Sequence, residues 1–220
     1  MIDSSMKRIR TDPAIVAYSL YLYFNSRSYR LASKSLESIA KRTHVSIWKW
    51  VQRFSKCADK FRADKRSIKV IFVDETLIKI NGQDHWLWIA YEPNINSCLL
   101  FHLSRERTII FVCYQFFRKI RSRYGKKVIY TDGAHWYNNA CKWLRLKHIL
   151  YETPLKNLME RFIQQIKDRT ECFDDHFPCN KEEECTRKHV SNWIEMFILY
   201  LHMRANKVRF VTFLINCSLS

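Results

Sequence analysis

The chain contains 220 residues, and its 47% hydrophobic content can build one catalytic domain with a small companion domain. Its 38 Lys and Arg exceed its 21 Asp and Glu, and the resulting net charge of +17 is typical of proteins that bind nucleic acid. Its three glycines are too few for a GxGxxG or GxxxxGKS/T nucleotide-binding loop at any place in the chain. There is no apolar run of membrane-spanning length and no signal peptide, so we expect the protein inside the cell.

The N-terminal sequence predicts an all-α helix-turn-helix DNA-binding domain over residues 1–60. Apolar side chains recur at helical spacing over 14–25 and 33–42, and Ser46 is the expected N-cap of a third helix. The last helix of such a unit lies in the DNA major groove, so four polar residues on it are expected to contact DNA: Lys49, Gln52, Arg53 and Lys56. The alternative is an ordinary helical hairpin with a solvated basic face.

After a linker at 61–67, a β-rich pattern begins, and it predicts a core at 68–206 with a C-terminal tail at 207–220. Asn81-Gly82 between two β-rich runs indicates a hairpin, and Pro93-Asn94 marks the next reversal, so the first three strands form an antiparallel meander. The later elements are a helix at 107–122, a strand ending at Asp132, a helix near 136–144, a strand at 147–151, a helix from Asn157 to Glu171 and a last helical region at 181–206. The order βββαβαβα predicts an α/β sandwich with crossover helices.

Three acidic residues are candidates for catalysis because each interrupts the apolar pattern around it. Asp74 follows VIFV in a strand expected to be central, Asp132 ends the strand VIYT, and Glu160 lies away from the apolar stripe of its helix. Individually, the aspartates could cap the turns after their strands, and Glu160 could belong to a solvated helix face. Together, they can converge at one edge, where carboxylates hold pairs of Mg²⁺ ions that serve phosphodiester chemistry.

The motifs VDET, YTDGAHWY and NLMERFIQQIKDRT, with FDDHFP soon after, resemble those of the DDE transposases of prokaryotic insertion sequences, most closely the IS-six (IS240-like) group. The resemblance spans residues 28–206 and implies a helix-turn-helix followed by an RNase H-like integrase core. It implies that Asp74, Asp132 and Glu160 are the catalytic metal ligands, with two Mg²⁺ or Mn²⁺ ions per site. It also implies DNA contacts from Asn157, Arg161 and Lys167 on the glutamate's helix. Lys156 stands where the family often has arginine, and the interval from Asp132 to Glu160 is shorter than is common.

The function implied by this resemblance is that of a transposase. It binds the terminal inverted repeats of an insertion sequence and cuts and rejoins DNA by metal-assisted phosphoryl transfer. The expected partners are double-stranded DNA at the element ends and at the target, and further copies of the chain in a homodimer or larger synaptic complex. The expected location is the cytoplasm of a prokaryote, at the nucleoid. Two alternatives stay open: a non-catalytic helix-turn-helix regulator, and an RNase H-like nuclease that does not join strands.

One aromatic segment is a candidate for contacts with unpaired bases. His135-Trp136-Tyr137 directly follows the Asp132 motif, and aromatic side chains stack on bases in single-stranded DNA. Burial of Trp136 in the hydrophobic core is the favoured alternative.

Overall fold

A computed structural model describes residues 10–61, 63–105, 110–173, 177–178 and 187–206. The helices are α1 Pro13–Ser26, α2 Tyr29–Leu36, α3 His44–Phe54, α4 Ile110–Tyr124, α5 His135–Trp143, α6 Thr153–Glu171 and α7 Arg187–Ala205. The strands are β1 Val70–Ile80, β2 Gln83–Glu92, β3 Ser97–Ser104, β4 Val128–Thr131 and β5 His148–Leu150. The chain forms two compact units, a helical unit of residues 1–61 with 188–220 and a sheet unit of residues 62–187.

The helical unit contains three N-terminal helices, as predicted, but two of their boundaries differ from the prediction. The N-cap of α3 is Thr43 rather than Ser46, because the Thr43 hydroxyl accepts the Ser46 N–H at 3.3 Å. Helix α2 covers Tyr29–Leu36 instead of 33–42, because Ser28 caps it and the chain turns after Leu36. The predicted helix at 33–42 combined the end of α2 with the turn that separates it from α3.

Helix α7 is part of the helical unit, although the sequence assigned this region to the core at 68–206. Its Trp193 indole donates to the Tyr23 hydroxyl of α1 at 2.8 Å, and its Tyr200 hydroxyl donates to Asn25 at 3.1 Å. The buried residues of α7 include Val190, Ile194 and Phe197. The helical unit is therefore assembled from the two ends of the chain. Residues 181–186 and 207–220 of the predicted last helix and tail lie outside the described residues.

The sheet unit contains one five-stranded sheet with the order β3-β2-β1-β4-β5. Strands β1, β2 and β3 pair antiparallel, whereas β1 with β4 and β4 with β5 pair parallel. The predicted hairpin is confirmed, since Ile80 pairs with Gln83 and the turn residues Asn81 and Gly82 have φ values of 52° and 72°. The predicted RNase H-like fold is thus confirmed, with α4, α5 and α6 flanking the sheet.

The two faces of β1 have different neighbours because side chains alternate along a strand. Ile71 and Val73 belong to the hydrophobic core between the sheet and helices α4 and α5, which also contains Trp136 and Tyr137 of α5. Phe72 lies on the other face, and Asp74, two residues further, shares that face. On the same side of the sheet, Tyr91 of β2 stacks on Phe162 of α6 with ring centroids 4.6 Å apart. Asp74 is therefore on the face that α6 covers.

A buried carboxylate fixes the start of β1. Glu92, at the end of β2, is fully buried, and one of its oxygens accepts the backbone N–H groups of Lys69 and Val70 at 2.7 and 2.8 Å. The other oxygen accepts the backbone and side-chain N–H groups of Asn94 at 3.1 and 2.6 Å. Four donors thus satisfy a charge that would otherwise be costly to bury.

Within the described residues, no helix is both long and apolar enough to cross a lipid bilayer.

Candidate active site

Asp74 lies in the middle of β1, between β2 and β4, and is half-buried on the face that α6 covers. One of its oxygens accepts the backbone N–H of Glu75 at 2.9 Å. Burial, together with the negative charges of Glu75 and Asp132, raises the pKa of Asp74 to about 7, although the Glu75 hydrogen bond and the charge of Lys156 lower it. The surroundings of this carboxylate therefore disfavour its charged form.

Asp132 follows the last residue of β4 and lies at the level of Asp74 on the neighbouring strand. The register of the parallel pair ends with Phe72 opposite Tyr130, and Asp74 and Asp132 each lie two residues beyond that position. The negative charge of Asp132 acts on Asp74, as expected for close neighbours. The Asp132 side chain accepts the Ala134 N–H at 3.1 Å, and it is exposed. The structure thus brings the two predicted aspartates to one edge of the sheet, with Asp132 open to solvent.

Glu160 lies on α6, on the same side of the sheet, and its side chain is exposed. Its carboxylate is 3.6 Å from the ammonium of Lys156, one helical turn earlier. The positive charge of Lys156 also lowers the pKa of Asp74, so Lys156 interacts with both acids. In the described part of the chain, no three His, Cys, Asp or Glu side chains are close enough to hold one metal ion. The expected three-carboxylate cluster is therefore not assembled in this structure, in which Glu160 pairs with Lys156.

Tyr151 belongs to the same site, although the sequence analysis did not single it out. Its hydroxyl donates to the Val73 carbonyl at 2.9 Å, and its backbone N–H donates to the Thr131 carbonyl at 2.9 Å. Burial and the charges of Asp74 and Asp132 raise the pKa of Tyr151 above its usual value. Tyr151 directly follows β5, as Asp132 follows β4. Because residues that follow neighbouring parallel strands lie close together, this position in the sequence could have identified Tyr151 as part of the site.

Thr131 and His148 hold the turn that carries Asp132. The buried Thr131 hydroxyl accepts the Gly133 N–H at 3.1 Å and lies 2.7 Å from Nε2 of His148 on β5. Because the hydroxyl accepts from Gly133, it is free to donate to His148. Burial lowers the pKa of His148, which favours the neutral ring. Gly133 itself has a φ of +90°, a conformation that favours glycine.

The donor set of the site fits a hard divalent cation. Asp74 and Asp132 present carboxylate oxygens, which Mg²⁺ and Mn²⁺ prefer as ligands. Burial is the main cause of the raised pKa of Asp74, with a smaller contribution from nearby carboxylates, and a bound cation would favour the charged form. Glu160, on the neighbouring helix, is paired with Lys156 and does not join the two aspartates in this structure.

The other predicted site residues are mostly at the surface. Lys49 and Lys56 are exposed and Arg53 is half-buried, and their spacing of four and three residues places them on one side of α3 and its extension. On α6, Asn157 and Arg161 are exposed and Lys167 is half-buried.

Gln52 is the exception among the predicted DNA contacts. Its amide nitrogen donates to the His189 carbonyl at 3.2 Å, and its amide oxygen accepts from Asn192 at 3.0 Å. Both partners belong to α7 in the helical unit, so the amide is engaged in holding α3 against α7. The expected role of Gln52 in contacting DNA does not fit this placement.

The aromatic segment after Asp132 divides between core and surface. Trp136 and Tyr137 are buried in the core beneath α4 and α5, which agrees with the favoured alternative for Trp136. His135 is exposed. The Tyr137 hydroxyl donates to the Glu75 carboxylate, so Glu75 points to the core face of β1 while Asp74 points to the α6 face.

The fold and the site together define an RNase H-like core with one aspartate within β1 and a second directly after the neighbouring parallel strand β4. Residues 68–195, more than half of the chain, match the model of the IS240-type transposase DDE domain. The chain therefore belongs to this DDE transposase family, as its motifs predicted.

Similar proteins were also found among curated sequences and solved structures. An uncharacterized protein of Methanocaldococcus jannaschii is 26% identical over 198 residues, which cover 88% of each chain. The catalytic core domain of BIV integrase is 17% identical with a TM-score of 0.41, covering 58% of this chain and 80% of that one. A structure of the simian T-cell lymphotropic virus intasome is 14% identical with a TM-score of 0.44, covering 80% and 67%. The HTLV-2 integrase catalytic core in complex with magnesium is 16% identical with a TM-score of 0.43, covering 58% and 82%.

Proposed function

We propose that this protein is a transposase that cuts and rejoins DNA at the ends of an insertion sequence. The observation that carries the proposal is the juxtaposition of Asp74 and Asp132 on adjacent parallel strands, in a chain of the DDE family. A structural aspartate in the middle of a sheet would be paired with a cation or with several donors. Asp74 instead faces a second carboxylate, which is the arrangement of a metal-dependent phosphoryl-transfer site.

Asp74, Asp132 and Glu160 would hold the divalent cations, two Mg²⁺ or Mn²⁺ per site. When bound, such cations lower the pKa of an attacking oxygen and stabilise the negative charge that develops on the phosphate and the leaving oxygen. For Glu160 to contribute, its pair with Lys156 must open. Lys156 and Lys167 lie on the same helix as Glu160, and their ammonium groups would contact non-bridging phosphate oxygens of the bound DNA.

The reaction consists of two displacements at phosphorus. In the first, a water oxygen attacks the phosphodiester and loses a proton, and the bond from phosphorus to the 3′ oxygen breaks. The departing oxygen takes up a proton and becomes a 3′-hydroxyl. In the second, this hydroxyl attacks a target phosphodiester, loses its proton and displaces the target's own 3′ oxygen. The same carboxylates serve both steps because only the nucleophile changes.

The helical unit would recognise the terminal inverted repeats. Lys49, Arg53 and Lys56 would contact phosphates or base edges as α3 enters the major groove, whereas Gln52 holds α3 in place. Asn157 and Arg161 on α6 would contact DNA close to the cleaved bond. Because two element ends must be cut and joined, the active form would be a homodimer or a larger oligomer.

A cleavage and joining assay on repeat-containing duplexes tests this function. The Asp74→Asn variant is expected to lose both reactions and to keep its DNA affinity, since it loses a metal ligand but no basic surface. Asp84→Asn, which removes an exposed carboxylate at the start of β2, is the matched control and is expected to react normally. Hydrolysis without joining by the wild type would identify a nuclease. Binding without any cleavage would identify a regulator, and either result would overturn the proposal.

A further inference from the structure

The three parallel strands β1, β4 and β5 begin at one edge of the sheet and end at the opposite edge. Val70 is opposite Val128, and Ile129 is opposite His148, so the segments that precede these strands are neighbours. Three observed contacts support this. An added Cβ at Gly125 would lie 3.0 Å from the Lys65 side chain, Lys127 donates to the Ile68 carbonyl, and the Ile129 N–H donates to the Lys147 carbonyl at 2.9 Å.

Each of these segments is strongly basic. Six exposed cations form what we call the basic edge: Lys65, Arg66 and Lys69 before β1, Lys126 before β4, and Arg145 and Lys147 before β5. The nearby Asp64 accepts the Arg66 backbone N–H at 2.9 Å and so completes a turn. Among the described residues, no carboxylate forms a salt bridge with these six side chains. The basic edge therefore carries a large uncompensated positive charge.

The opposite edge of the same strands carries the acidic site. Asp132 and Glu152 lie just after the ends of β4 and β5, and the four residues of β4 separate the two edges by about 13 Å. The charge is thus divided between the two ends of the strands. Cations at the C-terminal ends of α4 and α5 interact favourably with the helix dipoles. Each dipole is equivalent to only about half a negative charge, so the dipoles do not account for most of the six positive charges.

We infer that the basic edge is a second DNA-binding surface, which binds the phosphate backbone of a DNA segment other than the one at Asp74 and Asp132. Neighbouring strands are about 4.8 Å apart, so three adjacent segments present cations over about 10 Å, a span that matches successive backbone phosphates. Lysine and arginine contacts to phosphates carry no sequence information, so binding at this surface is expected to be independent of sequence. A reaction that joins two DNA molecules requires the enzyme to hold both. This inference rests on the proposed function.

The test compares two triple variants of the full chain. The first variant replaces one lysine in each segment of the basic edge by glutamine: Lys65, Lys126 and Lys147. The matched control replaces three exposed cations of β1 and α4, outside the basic edge, by glutamine: Lys79, Arg118 and Lys119. Affinity for a duplex without the repeat is measured at several salt concentrations, and thermal unfolding verifies that both variants fold.

The basic-edge variant is expected to lose at least tenfold in affinity at low salt. The slope of log K against log salt is expected to fall by about 2 to 3, because each lost phosphate contact removes about 0.9. End cleavage on a short repeat duplex is expected to persist while joining to a separate target declines. Equal affinities and slopes for the two variants would overturn the inference. If the wild type cleaves normally in that case, the proposed function stands and only the basic edge is wrong.

Discussion

Replacing Glu92 by Gln is expected to destabilise the sheet unit strongly, although Glu92 is outside the candidate active site. Its two oxygens accept four hydrogen bonds from Lys69, Val70 and Asn94, and its side chain is fully buried. A glutamine retains one oxygen and places an NH₂ group against two of the four donors. Each hydrogen bond to a buried charged group contributes about 1.5–3 kcal/mol, so losing two costs about 3 kcal/mol or more.

Thermal and urea unfolding measure this cost. For a unit of this size, about 3 kcal/mol lowers the midpoint by roughly 10 °C. Glu152→Gln is the matched control, because Glu152 is exposed and makes no side-chain cap hydrogen bond at the start of α6. It should change stability by less than about 0.5 kcal/mol. Hydrogen exchange should also accelerate at the Lys69 and Val70 amides. A Glu92→Gln midpoint equal to that of the control would refute the role assigned to this carboxylate.

Two further predictions compare neighbouring residues with different contacts. Tyr151→Phe removes the hydroxyl that donates to Val73 and should cost about 0.5–1.5 kcal/mol in urea unfolding. Tyr130 packs on the same Phe72, and Tyr130→Phe should lower the free energy of unfolding by less. Equal losses of stability in the two variants would mean that the Tyr151 hydrogen bond contributes little. Lys49→Ala should weaken binding to the repeat with unchanged stability. Gln52→Ala should instead lower the stability of the helical unit by about 1–2 kcal/mol, and the reverse pattern would restore Gln52 as a DNA contact.

Local signals in the sequence were sufficient to predict most of the sheet unit. The Asn81-Gly82 turn identified the first hairpin, and the apolar run before Asp132 identified β4 as a buried strand. These features depend on residues close together in the chain, which is why the sequence pattern reveals them.

Long-range contacts account for what the sequence analysis missed. Helix α7 is apolar over much of its surface, so its pattern does not indicate which unit it joins, and its contacts with Tyr23 and Asn25 connect the two ends of the chain. Gln52 has the polarity of a DNA contact, but its partners are 137 and 140 residues away. Lys156 and Glu160 are close in sequence, so their ion pair could be expected from the helix alone. The effect of Lys156 on the pKa of Asp74 could not, because Asp74 lies on a strand far away in the chain.

The central claim is that Asp74, Asp132 and Glu160 together bind the catalytic cations. The most direct measurement is a crystal structure of the full chain with a repeat duplex and Mn²⁺, in which anomalous scattering locates the metal. The expected result is manganese about 2.1–2.2 Å from oxygens of Asp74 and Asp132, with Glu160 turned from Lys156 to join them. Manganese bound elsewhere, or a site in which Glu160 still pairs with Lys156 while the two aspartates bind no metal, would contradict the account.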